Sequence, residues 1–203
     1  MSKKITSKAL KRFPIMDPAQ MNQAQAKLMK AVLAGPRGGG DASPAALHGF
    51  LGGGPFNAWL RSPDLGDRLQ KVGEYIRFNS SLDPRLNELA ILVTARYWTS
   101  QYEWFAHLTF ALAAGLDARI AAALARNKRP AGMHNDEAAV YDFCTQLHRR
   151  KKVGDAVYRR AVALFGEQGV MDLIGACGYY TVVSMTLNVA RVKVPAGNKK
   201  PLK

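Results

Sequence analysis

The chain has 203 residues, 48% of them apolar, and a formal net charge of +14, which suits one packed domain with extensions and excludes a disordered polyelectrolyte. The charge sits at the ends: residues 1–60 hold 8 basic and 2 acidic side chains, 61–190 hold 16 and 13, and 191–203 hold 5 and 0. The nearly balanced body argues against nucleic-acid binding, because it leaves only the arm KKITSKALKR and the last lysines as a basic surface; these read as solvated tails or as arms that pack on a neighbouring subunit.

Residues 1–54 read as a basic N-terminal arm with one helix and a glycine- and proline-rich loop. Asp17-Pro18 opens the helical pattern AQMNQAQAKLMKAVLA, since a capping side chain followed by proline marks a helix start. The stretch GPRGGGDASPAALHGFLGGG, from Gly35 to Gly54, is too rich in glycine and proline for a regular element and is either a linker or a mobile flap over a pocket. Its GGG clusters lack the spacing of a phosphate cradle.

Residues 55–195 form the main helical domain. Ser62-Pro63 opens DLGDRLQKVGEYIRF and Asp83-Pro84 opens RLNELAILVTARYW. TSQYEWFAHLTF then runs on to Ala114, with Gly115 as its stop. Asp117 caps DARIAAALARN, Asn135 or Asp136 opens NDEAAVYDFCTQLHRR, Asp155 opens DAVYRRAVALF, and a last long apolar helix follows Gly166. Residues 196–203 are a basic tail. No run alternates as a strand does, so the fold class is all-α, a compact helical bundle.

Cys144 and Cys177 each lie among apolar residues and read as core thiols of a reducing compartment rather than a disulfide. The basic N-terminus is not followed by the apolar run of a secretory signal. The most apolar stretch, VMDLIGACGYYTVVSMTLNV, contains Asp172, Asn188 and two glycines, which favours a buried helix over a membrane span. A cytoplasmic protein without membrane attachment is expected.

On a helix, Glu103 and His107 lie one turn apart on one face. As an exposed ion pair they would contribute only about 0.2–0.5 kcal/mol. Tyr102, Trp104, Phe105 and Phe110 leave little room for a solvated face, however, and a desolvated carboxylate can orient an imidazole for acid–base work. One Glu and one His supply two ligands where zinc needs three or four, and His48, His134 and His148 stand in no ligand spacing, so no metal is expected.

The run SSLDPRLNELAILVTARYWTSQYEWFAHLTFALAAGL resembles the carboxymuconolactone decarboxylase and alkylhydroperoxidase-D superfamily: a Leu-rich helix, a polar elbow, a site helix and an AxxAGL close. GPFNAWLRSPDL before it, and DEAAVYDFCTQLH and GYYTVVSMTLNVARV after it, are similar to the longer decarboxylase-like branch. The peroxidase branch carries Glu, eleven residues, Cys, two residues, Cys, three residues, His. Aligned on His107, this places the cysteines at Ser100 and Glu103 and the first acid at Glu88. Both thiols are thus missing, and neither serine nor glutamate supports disulfide cycling. A peroxidase label by similarity would run against these residues.

The resemblance to the decarboxylase branch implies a cofactor-free enzyme that removes carbon dioxide from 4-carboxymuconolactone or a related unsaturated acid. His107 is then the proton donor, Glu103 its orienting partner or the base, and Glu88 a third member of the site unless it pairs with Arg85 or Arg96. Arg96 is a candidate carboxylate anchor. Tyr102, Trp104, Ser100 and Asn188 are candidate substrate-lining residues, with Tyr179 and Tyr180 as further walls. The family implies a small-molecule substrate and homotrimers or homohexamers. The alternative is a catalytically silent oligomeric scaffold or small-molecule binding protein; a pocket at the pair and a perturbed imidazole distinguish the enzyme from it.

Overall fold

A computed structural model describes residues 10–38 and 44–203, the side chains of 44–46 excepted. The start of the basic arm, residues 1–9, lies outside the described residues. Every regular element among the described residues is helical.

Helix α1 spans Gln23–Ala34 and begins later than its Asp17-Pro18 signal. Asp17 accepts a bond from the Ala19 amide and opens only a short 3-10 turn, Pro18–Gln20. The start is set by a capping box: the Asn22 side chain accepts from the Gln25 amide at 3.0 Å, and the Gln25 side chain accepts from the Asn22 amide at 2.9 Å. Two otherwise unpaired amides are satisfied there.

The glycine-rich stretch departs from expectation, because it contains a second helix, α2, Pro44–Gly52. Leu51 packs into a cluster with Leu28, Met29, Val32 and Leu60, flanked by Leu47 and Phe50. Each such burial contributes about 1.5–3 kcal/mol, more than the roughly 1 kcal/mol that a helical glycine costs. Among the described residues of 1–54 there are therefore two α-helices where one was expected, and α1 packs on the body of the bundle.

That body comprises α3 (Phe56–Trp59), α4 (Pro63–Phe78), α5 (Pro84–Tyr97), α6 (Gln101–Ala113), α7 (Ala118–Ala125), α8 (Asn135–Arg150) and α9 (Asp155–Ala190). Asp83 caps α5 by accepting from the Arg85 amide, whereas Ser62 makes no such bond at α4. Helix α5 is the axis: every residue from Leu86 to Ala95 is buried, and α6, α7, α8 and α9 pack around it. In α9, Gly166 has φ 66 and ψ 178, so two helices meet there end to end, as the sequence indicates.

By length and hydropathy α9 could cross a membrane, yet 56% of its most apolar window is buried inside the bundle. Asp172 is stitched there to the α4–α5 turn, accepting from the Ser81 amide and hydroxyl at 2.7 Å each and from the Tyr75 hydroxyl at 3.1 Å. The tail 196–203 is not merely solvated: Leu202 is buried, and its amide donates to the Gln101 side chain at the α5–α6 elbow.

Candidate active site

Helices α5 and α6 bring three ionisable side chains together. His107 Nδ1 lies 2.7 Å from Glu88 Oε2 across the helix pair, and its Nε2 lies 3.0 Å from Glu103 Oε1 one turn back on α6. All three are buried. Glu88 is not held by an arginine: Arg85 turns instead to α8, where it binds Glu137 at 2.6 Å and Asp136 at 2.7 Å.

Burial pulls the His107 imidazole toward the neutral form, but the charges of Glu103 and Glu88 and their hydrogen bonds outweigh it and raise its pKa to about 9. At neutral pH the ring is an imidazolium donating through both nitrogens, and the trio carries one net negative charge.

Glu103 and His107 open onto a cavity of about 300 Å³. Tyr102, Phe110, Tyr179 and Tyr180 form its walls, and Arg37 and Arg77 supply positive charge. The Arg77 guanidinium lies 4.8 Å from the Phe110 ring centroid, and Arg37 donates to the Gln70 carbonyl at 2.9 Å. The Tyr180 ring meets His107 edge-on at 4.9 Å; its hydroxyl is buried with no protein partner among the described residues. Burial raises the pKa of Tyr180 and pushes that of Tyr179 up to about 12, so both are phenols at neutral pH. Two glycines make room. A Cβ on Gly73 would collide with the Tyr179 hydroxyl, and one on Gly53 with the Tyr102 hydroxyl.

The glycine-rich stretch does lie over a pocket, since Gly49, Phe50, Gly53 and Gly54 line this cavity. Of the eight site residues expected from the sequence, Glu103, His107 and Tyr102 line it, and Glu88 stands behind His107. The other four do not line it. Arg96 points to a different cavity and binds Thr99 and the Lys203 carbonyl. Trp104 is one residue from Glu103, hence about a quarter-turn around the helix, and lines an apolar groove with Phe105 and Leu108. Ser100 is fully buried at the start of α6, with its hydroxyl unpartnered among the described residues. Asn188 lies beyond the cavity on α9 and donates to the Trp98 carbonyl at 2.9 Å.

Arg37 and Arg77 were missed. Arg37 sits inside the glycine-rich run and Arg77 ends α4 as an ordinary last-turn cation, so neither has a local signal. Cys144 and Cys177 are both buried free thiols on α8 and α9, remote in sequence from the positions where peroxidase relatives carry theirs.

No curated protein and no solved structure matches the chain. The model of the carboxymuconolactone decarboxylase family matches residues 63–151. That segment includes Glu88, Glu103, His107 and Arg77, whereas Arg37, Tyr179 and Tyr180 lie outside it. Residues 63–151, with Glu88, Glu103 and His107 inside them, are thus similar to the carboxymuconolactone decarboxylase family.

Proposed function

We propose that the chain is a cofactor-free enzyme that decarboxylates a carboxymuconolactone-type lactone or a related unsaturated acid by acid–base proton transfer. The observation that carries this reading is the imidazole of His107, clamped between two buried carboxyl groups at the wall of a cavity that also holds two arginines. A pocket at the pair and a strongly perturbed imidazole favour an enzyme over a silent scaffold. The absence of thiols at positions 100 and 103 disfavours peroxidase chemistry.

Both His107 nitrogens are engaged, so the proton leaves through Glu103, which faces the cavity, while Glu88 holds the ring and its charge from behind. Arg37 and Arg77 receive the carboxylates of the substrate. The bond from carbon to the departing carboxylate breaks, and its electron pair moves into the conjugated carbonyl as a dienolate. The Tyr180 hydroxyl donates to that oxygen. Carbon then takes the proton that His107 passes through Glu103, and the trio is reprotonated from water. A positioned acid of this kind contributes about 10²–10⁴-fold in rate.

The proposal extends to assembly and location. Helix α9 presents Met171, Ile174, Val182, Met185 and Val189 to solvent, with Gly178 between them. This is one stripe at helical spacing, suited to a trimer or hexamer. The buried free thiols fit a cytoplasmic setting.

The test is carbon dioxide release and the ultraviolet change with 4-carboxymuconolactone and a panel of related lactones, using the parent, Glu103→Gln and His107→Gln. Turnover that collapses in both variants at unchanged helicity supports the reading. Turnover indifferent to both, or none on any lactone, overturns it.

A further inference from the structure

A second cavity, of about 310 Å³, lies between α5, α7 and α8, on residues that the proposed reaction does not use. Arg96, Lys128 and Arg149 line it together with Tyr97, Tyr141 and His148, and no lining residue is a carboxylate.

Most described cations have no acidic partner; what distinguishes these three is that they share one concavity whose lining holds no carboxylate. Arg85, Arg119, Arg129 and Arg160 all sit against aspartate or glutamate. Arg96, Lys128 and Arg149 have no ion pair with an acidic side chain among the described residues. Arg149 is held by the Asn127 side-chain oxygen at 2.7 Å, and Arg96 by the Lys203 backbone oxygen at 2.7 Å and by Thr99 at 3.3 Å. A neutral side-chain acceptor thus fixes the Arg149 guanidinium, whose charge no acidic side chain compensates. Like charges converging on one concave surface repel, and an anion that enters removes that cost.

The cavity is also built at its floor. His148 is buried, its ring stacks on Tyr97 at 4.8 Å with 16° between planes, and its Nε2 lies 2.9 Å from Thr94 Oγ1. The Thr94 hydroxyl already donates to the Ala90 carbonyl at 2.9 Å, so it accepts from His148.

We propose that this cavity is a binding site for a compact phosphate-type oxyanion, either free phosphate or the phosphoryl group of a small ester. Three cations match a tetrahedral group with up to two charges and several acceptor oxygens better than they match a single planar carboxylate, which one guanidinium satisfies. The volume admits a small ester and not a polymer. The site is separate from the acid–base trio and does not rest on the proposed decarboxylation.

The experiment is isothermal titration of the full chain at physiological ionic strength with inorganic phosphate and, separately, phenyl phosphate. Lys128→Ala/Arg149→Gln removes two exposed cations of the cavity, and Lys30→Ala/Lys193→Ala removes the same charge outside its lining. The expected result is saturable binding at one site per chain, weakened roughly tenfold or more in the cavity variant and little changed in the control. Tighter binding of phenyl phosphate assigns the source to an ester, and tighter binding of inorganic phosphate assigns it to the free ion. Absence of saturable binding of both, or equal weakening in the two double variants, overturns the proposal.

Discussion

His107 Nδ1 stands 2.7 Å from Glu88 Oε2, so one buried hydrogen bond joins the site helix α6 to the central helix α5. The same ring reaches Glu103 through its other nitrogen, and the two carboxylates hold the imidazolium up to about pH 9. Unfolded histidine titrates near ~6.5. The folded state therefore binds the proton more tightly, and this contribution is fully present below about pH 6.5 and is lost as pH rises through about 9. The melting temperature of the parent should fall across that window, and the gap to His107→Gln should narrow as it does. Parallel curves for the two proteins from pH 6 to 9.5 would remove the imidazolium from the account.

Glu88 touches His107 and does not line the cavity. Glu88→Gln keeps an acceptor but removes a charge, whereas Glu88→Asp keeps the charge at a shorter reach. On a lactone that the parent turns over, Glu88→Gln should lower kcat by about 10–100-fold with KM nearly unchanged. It should also move the His107 titration, followed by imidazole NMR, to lower pH. Glu88→Asp should recover part of both. A kcat loss without movement of that titration would make Glu88 a packing residue only.

The fold was legible where local chemistry decides it. Asp83 and Asp117 cap the helices they were expected to cap, and Gly166 breaks α9 at its positive φ. The pair Glu103–His107 could be read because one turn of helix fixes its spacing, and Glu88 because the family spacing carries it. Helix α2 was hidden, because its stability comes from Leu51 packing on α1, a tertiary contact that overrides the glycine content. Arg37 and Arg77 were hidden for the same kind of reason. Cavity walls contributed by α4 and by the segment after α1 have no periodic signature, whereas Arg96 looked suitable by nearness in sequence and faces another way.

Asp172 should matter for stability out of proportion to its place in an apolar helix. Its burial would raise its pKa, but bonds from the Ser81 hydroxyl and amide, the Tyr75 hydroxyl and Ser80 lower it below the usual carboxylate value. Those bonds tie the α4–α5 turn to α9. Asp172→Asn should cost about 1–3 kcal/mol, and Asp172→Ala at least as much, because the serine donors lose their acceptor. The depressed pKa sets the sign with pH: this stabilisation is present above about pH 4 and fades as the carboxylate is protonated below it. Urea midpoints at pH 7 and pH 3.5 check both parts, and an Asp172→Asn midpoint equal to that of the parent at pH 7 would refute the tie.

The exposed stripe on α9 makes the assembly proposal testable through single residues. Met171, Ile174, Met185 and Val189 are each at least two-fifths exposed, while Leu173, Ala176, Val183 and Leu187 on the opposite side of the helix are buried in the core. The helix therefore has two apolar faces and uses only one of them within the chain. Burying the second against another copy is favourable at roughly 25 cal/mol per Å² of apolar surface, and a glutamate placed mid-stripe would have to be buried unpaired. Ile174→Glu and Met185→Glu should each shift the protein from oligomer to monomer in light scattering after size-exclusion chromatography, with helicity retained. Arg159→Glu, exposed in the part of α9 before the Gly166 break, should leave the assembly intact. An oligomer that survives both glutamates is held by another surface, and a parent that is already monomeric has no assembly on this face.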